Sequence, residues 1–296
     1  MGLVRFLRLL RLAFWRALNH DAFGVAKGAA YSSILSLFPA FLLVASILAA
    51  SHKTAAFVQE ISYAVGRIMP PGSVRAAQAY FTSAQERPIR VLITTSFFTL
   101  WTGSGVMISW MEGFRNAYQL PKTWGLFKER MIAFGLVIMA GIPLSFATAL
   151  VAFGTQIELW LMFHAGHMYG PYILFLWTVV RWMIALLTSI AVMLLIYHHA
   201  VPRTQPWHSA LPGATLATAA WFPATIFFGW YVNHFAEYSL LYGSLATAIV
   251  LLIWMYIVSV IVLLGAEFNA LLFPRLVANP QRPPEAQVPQ SKVSVG

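Results

Sequence analysis

The chain has no cysteine, and only 9% of its 296 residues are charged. The first absence excludes disulfides, thiolate metal sites and thiol nucleophiles. The second says more. A soluble domain is roughly 25% charged and about 45–50% apolar, whereas 59% of this chain is hydrophobic. A soluble fold cannot hide that much apolar surface and still present a wetted exterior. The composition therefore excludes an ordinary soluble enzyme, a disordered chain and a collagen-like fibre. Acids are scarcest of all. Asp21, Glu60, Glu86, Glu112, Glu129, Glu158, Glu237, Glu267 and Glu285 are the complete set, and none has another close by in sequence. A nuclease needs clustered carboxylates for metals or His/Lys pairs for acid–base work. No metallohydrolase string, Walker loop or G-x-S-x-G elbow is present either. His164 and His167, and the neighbours His198 and His199, have metal-like spacing but lack nearby carboxylates. They read as interfacial histidines, because about three convergent protein ligands are usually needed. No metal or cofactor is expected.

What the chain has is long apolar runs. A span needs about 20 mostly apolar residues, and Ala29–Ala50, Val91–Gly113, Met131–Phe153, Tyr172–Tyr197, Ser209–Val232 and Ser244–Leu271 qualify. The expected fold is all-α, a polytopic membrane protein of six transmembrane helices. Orientation follows from the basic residues. Arg5, Arg8, Arg11, Arg16 and Lys27, then Arg115, Lys122, Lys128 and Arg130, then Arg203, then Arg275, Arg282 and Lys292 fall on one side. The third and fifth connections contain none, and the first dissents with Lys53, Arg67, Arg75, Arg87 and Arg90. Both termini are expected in the cytoplasm. The net charge of +10 is then mostly orientation and contact with anionic headgroups at the inner rim. No nucleic-acid partner is expected, and oligomeric state is not legible.

Leu3–Leu18 places Arg5, Arg8, Arg11 and Arg16 in one helical sector, the pattern of an interfacial amphipathic helix over residues 1–20. Asn19 and Asp21 offer a break and a cap before the first span. Between the first two spans, residues 51–90 read as a helical hairpin on the outer surface, with Pro70-Pro71-Gly72 at its turn. The transmembrane domain is expected over residues 21–275. The Pro- and Gln-rich residues 276–296 read as a disordered cytoplasmic tail.

An ordered set of local strings resembles the YihY/BrkB family of bacterial inner-membrane proteins. They are Ala30-Tyr31-Ser32-Ser33 and Ser36-Leu37-Phe38-Pro39 in the first span, and Phe114-Arg115-Asn116-Ala117-Tyr118 at the end of the second. Arg181-Trp182, Tyr197 and Pro202 follow in and after the fourth, and Leu211-Pro212-Gly213 opens the fifth. The sixth carries Tyr242-Gly243-Ser244-Leu245, Trp254, Tyr256 and Gly265-Ala266-Glu267-Phe268-Asn269. The resemblance covers roughly Asn19–Pro274. It implies six helices with cytoplasmic termini but no mechanism, since the family has carried ribonuclease, virulence and export labels without agreed catalytic residues.

Ionisable groups at membrane depth are costly and usually face a bundle interior or cavity. Glu112 stands one turn before Arg115, so the two could pair locally. Glu267 is expected at the same depth, within reach of Arg115 across the bundle, with Asn269 and Asn116 near. Arg181 either lies buried in the fourth span or snorkels to the outer headgroups. In the second span Thr95, Thr99, Thr102, Ser109, Glu112 and Asn116 recur on one helical face. That stripe either lines a polar passage or bonds its own backbone and glues helices together. Pro39, Pro143 and Pro223 inside spans each free a carbonyl. Three readings follow. The first is a transporter or flippase of an amphipathic or anionic substrate such as a lipid, with Glu267, Glu112, Arg115, Asn116, Asn269 and Arg181 as contact or coupling candidates. The second is a structural scaffold linked to envelope integrity or virulence. The third, a ribonuclease, gains nothing from the residues.

Overall fold

A computed structural model describes residues 3–50, 88–152, 170–202, 206–235 and 244–273. Among these residues the chain forms helices and no strand: α1 (Leu3–Asn19), α2 (Ala22–Ala50), α3 (Pro88–Ala117), α4 (Leu126–Ala152), α5 (Gly170–His199), α6 (Trp207–Phe235) and α7 (Ser244–Leu272). Helices α2 to α7 are the six candidate spans. Each is long enough to cross an apolar layer of about 30 Å at ~1.5 Å per residue. In hydrocarbon every backbone polar group must be satisfied within its own segment, which is why apolar runs of this length become helices. The chain is a multi-pass membrane protein. The expected outer hairpin and the tail lie outside the described residues, apart from residues 88–90, which open α3.

The spans close into a ring. Each packs on its sequence neighbour from α2 through α7, α7 returns to α2, and α7 also touches α3. Helix α1 lies across α7 and α2. Its Ala13 and Ala17 are buried, and Phe6 meets Phe268 edge-on at 5.9 Å. Leu7, Phe14 and Trp15 stay exposed on the same helix, as do Arg5, Arg8 and Arg11. That is the two-faced distribution an interfacial helix needs.

Burial concentrates at the end of the ring where α1 sits, here the proximal end, with Thr95 of α3 and Ala147 of α4 buried farther along. No described side chain is buried beyond Ala30 in α2, before Val192 in α5, beyond Thr218 in α6 or before Ser259 in α7. Small residues explain the tight end. Ala210 and Ala214 on α6 share one core with Val262, Leu263 and Ala266 of α7, and Ala217 lies against Gly265. A Cβ on Gly213 would collide with the Gly265 carbonyl, and one on Gly265 with the Tyr197 hydroxyl and the Gly213 carbonyl. Gly213→Ala should therefore cost about 1–3 kcal/mol, the usual range for overpacking. Gly229→Ala, with nothing within 4 Å of its Cβ, should be neutral or stabilising. Melting of both variants in detergent compares them directly, and equal melting temperatures would show that the close approach is unimportant.

Two turns at the proximal end use left-handed backbone without glycine. Asp21, between α1 and α2, has φ 55°, and Gln119, after α3, has φ 52°. At the second, Leu120 N–H bonds to Arg115 C=O at 2.9 Å and Gln119 N–H to Asn116 C=O at 3.1 Å. This double closure satisfies carbonyls that the helix end leaves open.

Candidate functional site

The proximal end gathers almost every buried charged or amide side chain among the described residues. Asn269 is fully buried at the end of α7. Its Oδ1 accepts from Gly213 N–H at 2.6 Å, and its Nδ2 donates to Ala210 C=O at 3.1 Å. These contacts bracket Pro212, whose ring interrupts the α6 ladder. Tyr197 of α5 donates from its hydroxyl to Val262 C=O at 2.7 Å. Three spans are thus tied together by side-chain-to-backbone bonds at Val262 and Asn269, two turns apart on α7.

Glu267 lies two residues before Asn269 and is 1% exposed. Its partners come from α1 and the turn after it. His20 Nδ1 is 2.6 Å from Oε1, and Arg16 Nε is 3.6 Å from Oε2. Asn116 Nδ2 reaches the His20 carbonyl at 3.4 Å. A second cluster joins α3 to α4. Arg115 is ion-paired with Glu129, both nearly buried, and Lys122 stands 3.6 Å from the other Glu129 oxygen.

Two sequence expectations are corrected here. Glu267 does not meet Arg115, because the guanidinium is turned into the α3–α4 interface and held by Glu129. Glu112 does not pair with Arg115 either; its side chain is exposed while Arg115 is buried. The inner rim of cations is also thinner than the sequence implies. Arg115 is spent on Glu129 and Arg130 stacks 4.3 Å over Trp101. Lys27 and Lys128 remain exposed, and Arg203 and Arg275 lie outside the described residues.

The polar stripe of α3 is a seam. Thr95, Thr99, Thr102 and Ser109 bond to the carbonyls of Val91, Thr95, Phe98 and Gly105 in their own helix. Gly105 lies against Ser32 and Ser109 against Gly28, both on α2. Ser36 likewise bonds to the Ser33 carbonyl in its own helix. The interior of the ring holds something else, a cavity of about 240 Å³. Met107 of α3, Ala140 of α4, Val192 of α5, Ala217 and Trp221 of α6 and Val262 of α7 line it, and no charged side chain does. Leu144 of α4 and Trp221 of α6, also in its lining, are 40% and 36% exposed. Trp110 Nε1 and Thr218 Oγ1 lie in its wall without a hydrogen-bond partner among the described residues, and both are shielded by neighbouring carbon. Arg181, on α5, is half-buried beyond the cavity toward the distal end.

His198 stacks on Trp207 at 4.0 Å, and no group of three His, Asp or Glu side chains converges among the described residues. His164 and His167 lie outside them. Sequence reasoning singled out Glu267, Asn269 and Arg115 but not their partners His20, Arg16 and Glu129, nor the backbone knot at Gly213 and Gly265. The spacing of Arg16 and His20, four apart and hence on one helical face, was the available signal for the first pair.

A ribonuclease-like protein, YfkH of Bacillus subtilis (strain 168), is 26% identical over 269 residues, covering 90% of this chain and 95% of its own. A UPF0761 membrane protein of Tolumonas auensis is 28% identical over 270 residues, covering 88% of this chain and 83% of its own. No solved structure matches. The family described as Virulence factor BrkB matches residues 13–289, nearly the whole ring with α1 across it, and the chain belongs to that family.

Proposed function

We propose that the protein moves an amphipathic or anionic substrate, a membrane lipid in the first instance, across the bacterial inner membrane. The observation that carries this reading is the cavity. It is apolar, sits inside the ring on the distal side of the Asn269, Tyr197 and Glu267 contacts, and has the partly exposed Leu144 and Trp221 in its lining. By the distribution of Lys and Arg the proximal end is cytoplasmic. The chain has no Walker loop, so an ion gradient or the substrate's own gradient drives movement. Glu267 and its cationic partners form the inner closure and are the coupling candidates, while Glu112, Asn116 and Arg115 border it.

Liposomes containing the purified full chain and a fluorescent phospholipid test this. Wild type should accelerate loss of leaflet asymmetry, and Glu267→Gln should change the rate by about tenfold, equivalent to ~1.4 kcal/mol in a barrier. Glu112→Gln, at an exposed position, should change it less. Unchanged rates in both variants would remove these residues from the mechanism, and no acceleration by wild type would remove the transport reading.

One observation favours the scaffold reading instead. The α3 stripe spends its hydroxyls on its own carbonyls and its small residues on α2, so it offers no polar passage. The same liposome assay separates the two readings, since a scaffold leaves asymmetry intact. The ribonuclease-like name belongs to the Bacillus relative, and the described residues bring together no metal cluster that would extend it to this chain.

A further inference from the structure

We propose that α1 is a docking surface for anionic phospholipid in the leaflet at the proximal end, with Arg8 and Arg11 on the headgroup phosphate and Trp15 beside them. Each residue turns a helix by ~100°, which divides α1 into three strips. Phe6, Ala13 and Ala17 form the first. The ring takes it up: both alanines are buried, and Phe6 lies on Phe268. Leu7, Phe14 and Leu18 form the second, about 100° round, and they are 55%, 47% and 45% exposed. Arg8, Arg11 and Trp15, at i, i+3 and i+7, share the third, and all three are exposed. The contacts of Phe6, Ala13 and Ala17, with Arg16 and His20 on Glu267 at the far end of the helix, fix how the two open strips are presented. A surface held in this way has little ordering cost to meet on binding.

The occupant follows from what the two open strips need together. Helix α1 contains no acid. Among the described residues no carboxylate stands within ion-pair distance of Arg8 or Arg11, whereas Arg16 has Glu267. Two guanidiniums one turn apart match phosphate, which each can meet in a fork. The neighbouring strip of Leu7, Phe14 and Leu18 needs hydrocarbon, as the apolar side of an interfacial helix does. A nucleic acid or an acidic protein supplies the charge and leaves that strip in water. An anionic phospholipid supplies phosphate and hydrocarbon in one molecule. Trp15, between the two arginines around the helix and 57% exposed, is the residue type that settles at headgroup level. Placement agrees. Helix α1 lies across α7 and α2 and ends just before α2 begins at Ala22, so it runs along the edge of the apolar layer. The site stands whether or not the chain moves lipid.

Native mass spectrometry of the detergent-purified full chain, exposed to phosphatidylglycerol or phosphatidylcholine with identical acyl chains, tests the site. Wild type should retain phosphatidylglycerol about tenfold better, equivalent to ~1.4 kcal/mol. Arg8→Gln with Arg11→Gln should bring the two lipids close to parity and leave phosphatidylcholine unchanged. These positions are exposed, so the fold should survive the change. Lys128→Gln, at an exposed cation on α4, should keep the tenfold preference. If it erases the preference as fully as the α1 pair does, the charge is diffuse and the site is overturned. Leu7→Ser with Phe14→Ser should weaken both lipids alike, and undiminished retention there would overturn the hydrocarbon contact. Competition decides the source of the phosphate. Inorganic phosphate or a short RNA should fail to displace phosphatidylglycerol from wild type at equal concentration, and displacement by either would overturn a lipid surface in favour of that ligand.

Discussion

Replacing Glu129 with alanine is expected to be among the most damaging single changes in the protein, at about 3–5 kcal/mol. The reason is the asymmetry of a buried ion pair. The Arg115 side chain is 9% exposed and has Glu129 as its ion-pair partner. Removing the acid leaves a nearly buried guanidinium in the α3–α4 interface without its counter-charge. The converse change, Arg115→Met, leaves Glu129 with Lys122 at 3.6 Å, a side chain 56% exposed. That contact is worth about 0–1 kcal/mol by itself, yet it gives the carboxylate a counter-charge and a path to water, so Arg115→Met should cost less than Glu129→Ala. The double change to Met and Leu should recover most of the loss, because an apolar pair of similar volume avoids desolvating two charges. Melting of the three variants in detergent gives the order. A double variant as unstable as Glu129→Ala would mean that the pair is needed for specificity rather than for charge balance.

The spans were legible because the bilayer leaves little choice. An apolar run of about 20 residues in hydrocarbon must close its own hydrogen bonds, and the expected Val91–Gly113 and Ser244–Leu271 fall inside α3 and α7. The ends were less legible. The first span was placed from Ala29, whereas α2 begins at Ala22. Lys27 lowers local hydropathy without disturbing the backbone, and the helix starts at the left-handed Asp21 instead. Hydropathy marks where lipid begins, while a helix end is set by turn geometry.

At the candidate site, depth was legible and direction was not. Glu267 and Asn269 stood out as polar residues inside an apolar run, and both are buried at contacts that join helices. Their partners belong to segments that the sequence assigns to other tasks: His20 to a boundary, Arg16 to an interfacial face, Gly213 to a proline turn. Ring closure and the crossing of α1 bring them together, and those contacts are long-range. The α3 stripe shows the same limit. Its period correctly puts Thr95, Thr99, Thr102 and Ser109 on one side of the helix, but period does not say what that side faces, and its inner part faces α2. Several of the strings that carry the family resemblance, by contrast, converge. Leu211-Pro212-Gly213 meets Gly265 and Asn269, Tyr197 meets Val262, and Asn116 meets His20. These motifs, scattered along the chain, gather at the proximal end, while Arg181-Trp182 lies apart toward the distal end.

His20→Ala should destabilise the protein by about 3 kcal/mol, the cost of leaving a buried carboxylate without its close partner. Glu267→Gln should cost only about 1 kcal/mol, the worth of an ordinary hydrogen bond. The difference follows from exposure. Glu267 is 1% exposed and takes its short contact from His20, with Arg16 more distant at 3.6 Å. His20 and Arg16, at 19% and 25% exposed, can turn to water when the acid is gone. A glutamine keeps the volume and an acceptor for the imidazole. The second variant of the series, His20→Ala with Glu267→Gln, should therefore be more stable than His20→Ala alone, since the uncompensated charge has been removed. Loss of the imidazole should also free α1, which is otherwise held by Phe6 on Phe268 and by Ala13 and Ala17. Faster amide exchange across Leu3–Asn19 in His20→Ala, but not in Glu267→Gln, is the matching readout. If both single variants melt alike and α1 exchanges alike, then Glu267 is not held as a carboxylate paired with His20. The proximal closure would then rest on the Asn269 and Tyr197 contacts, and coupling through Glu267 would lose its physical basis.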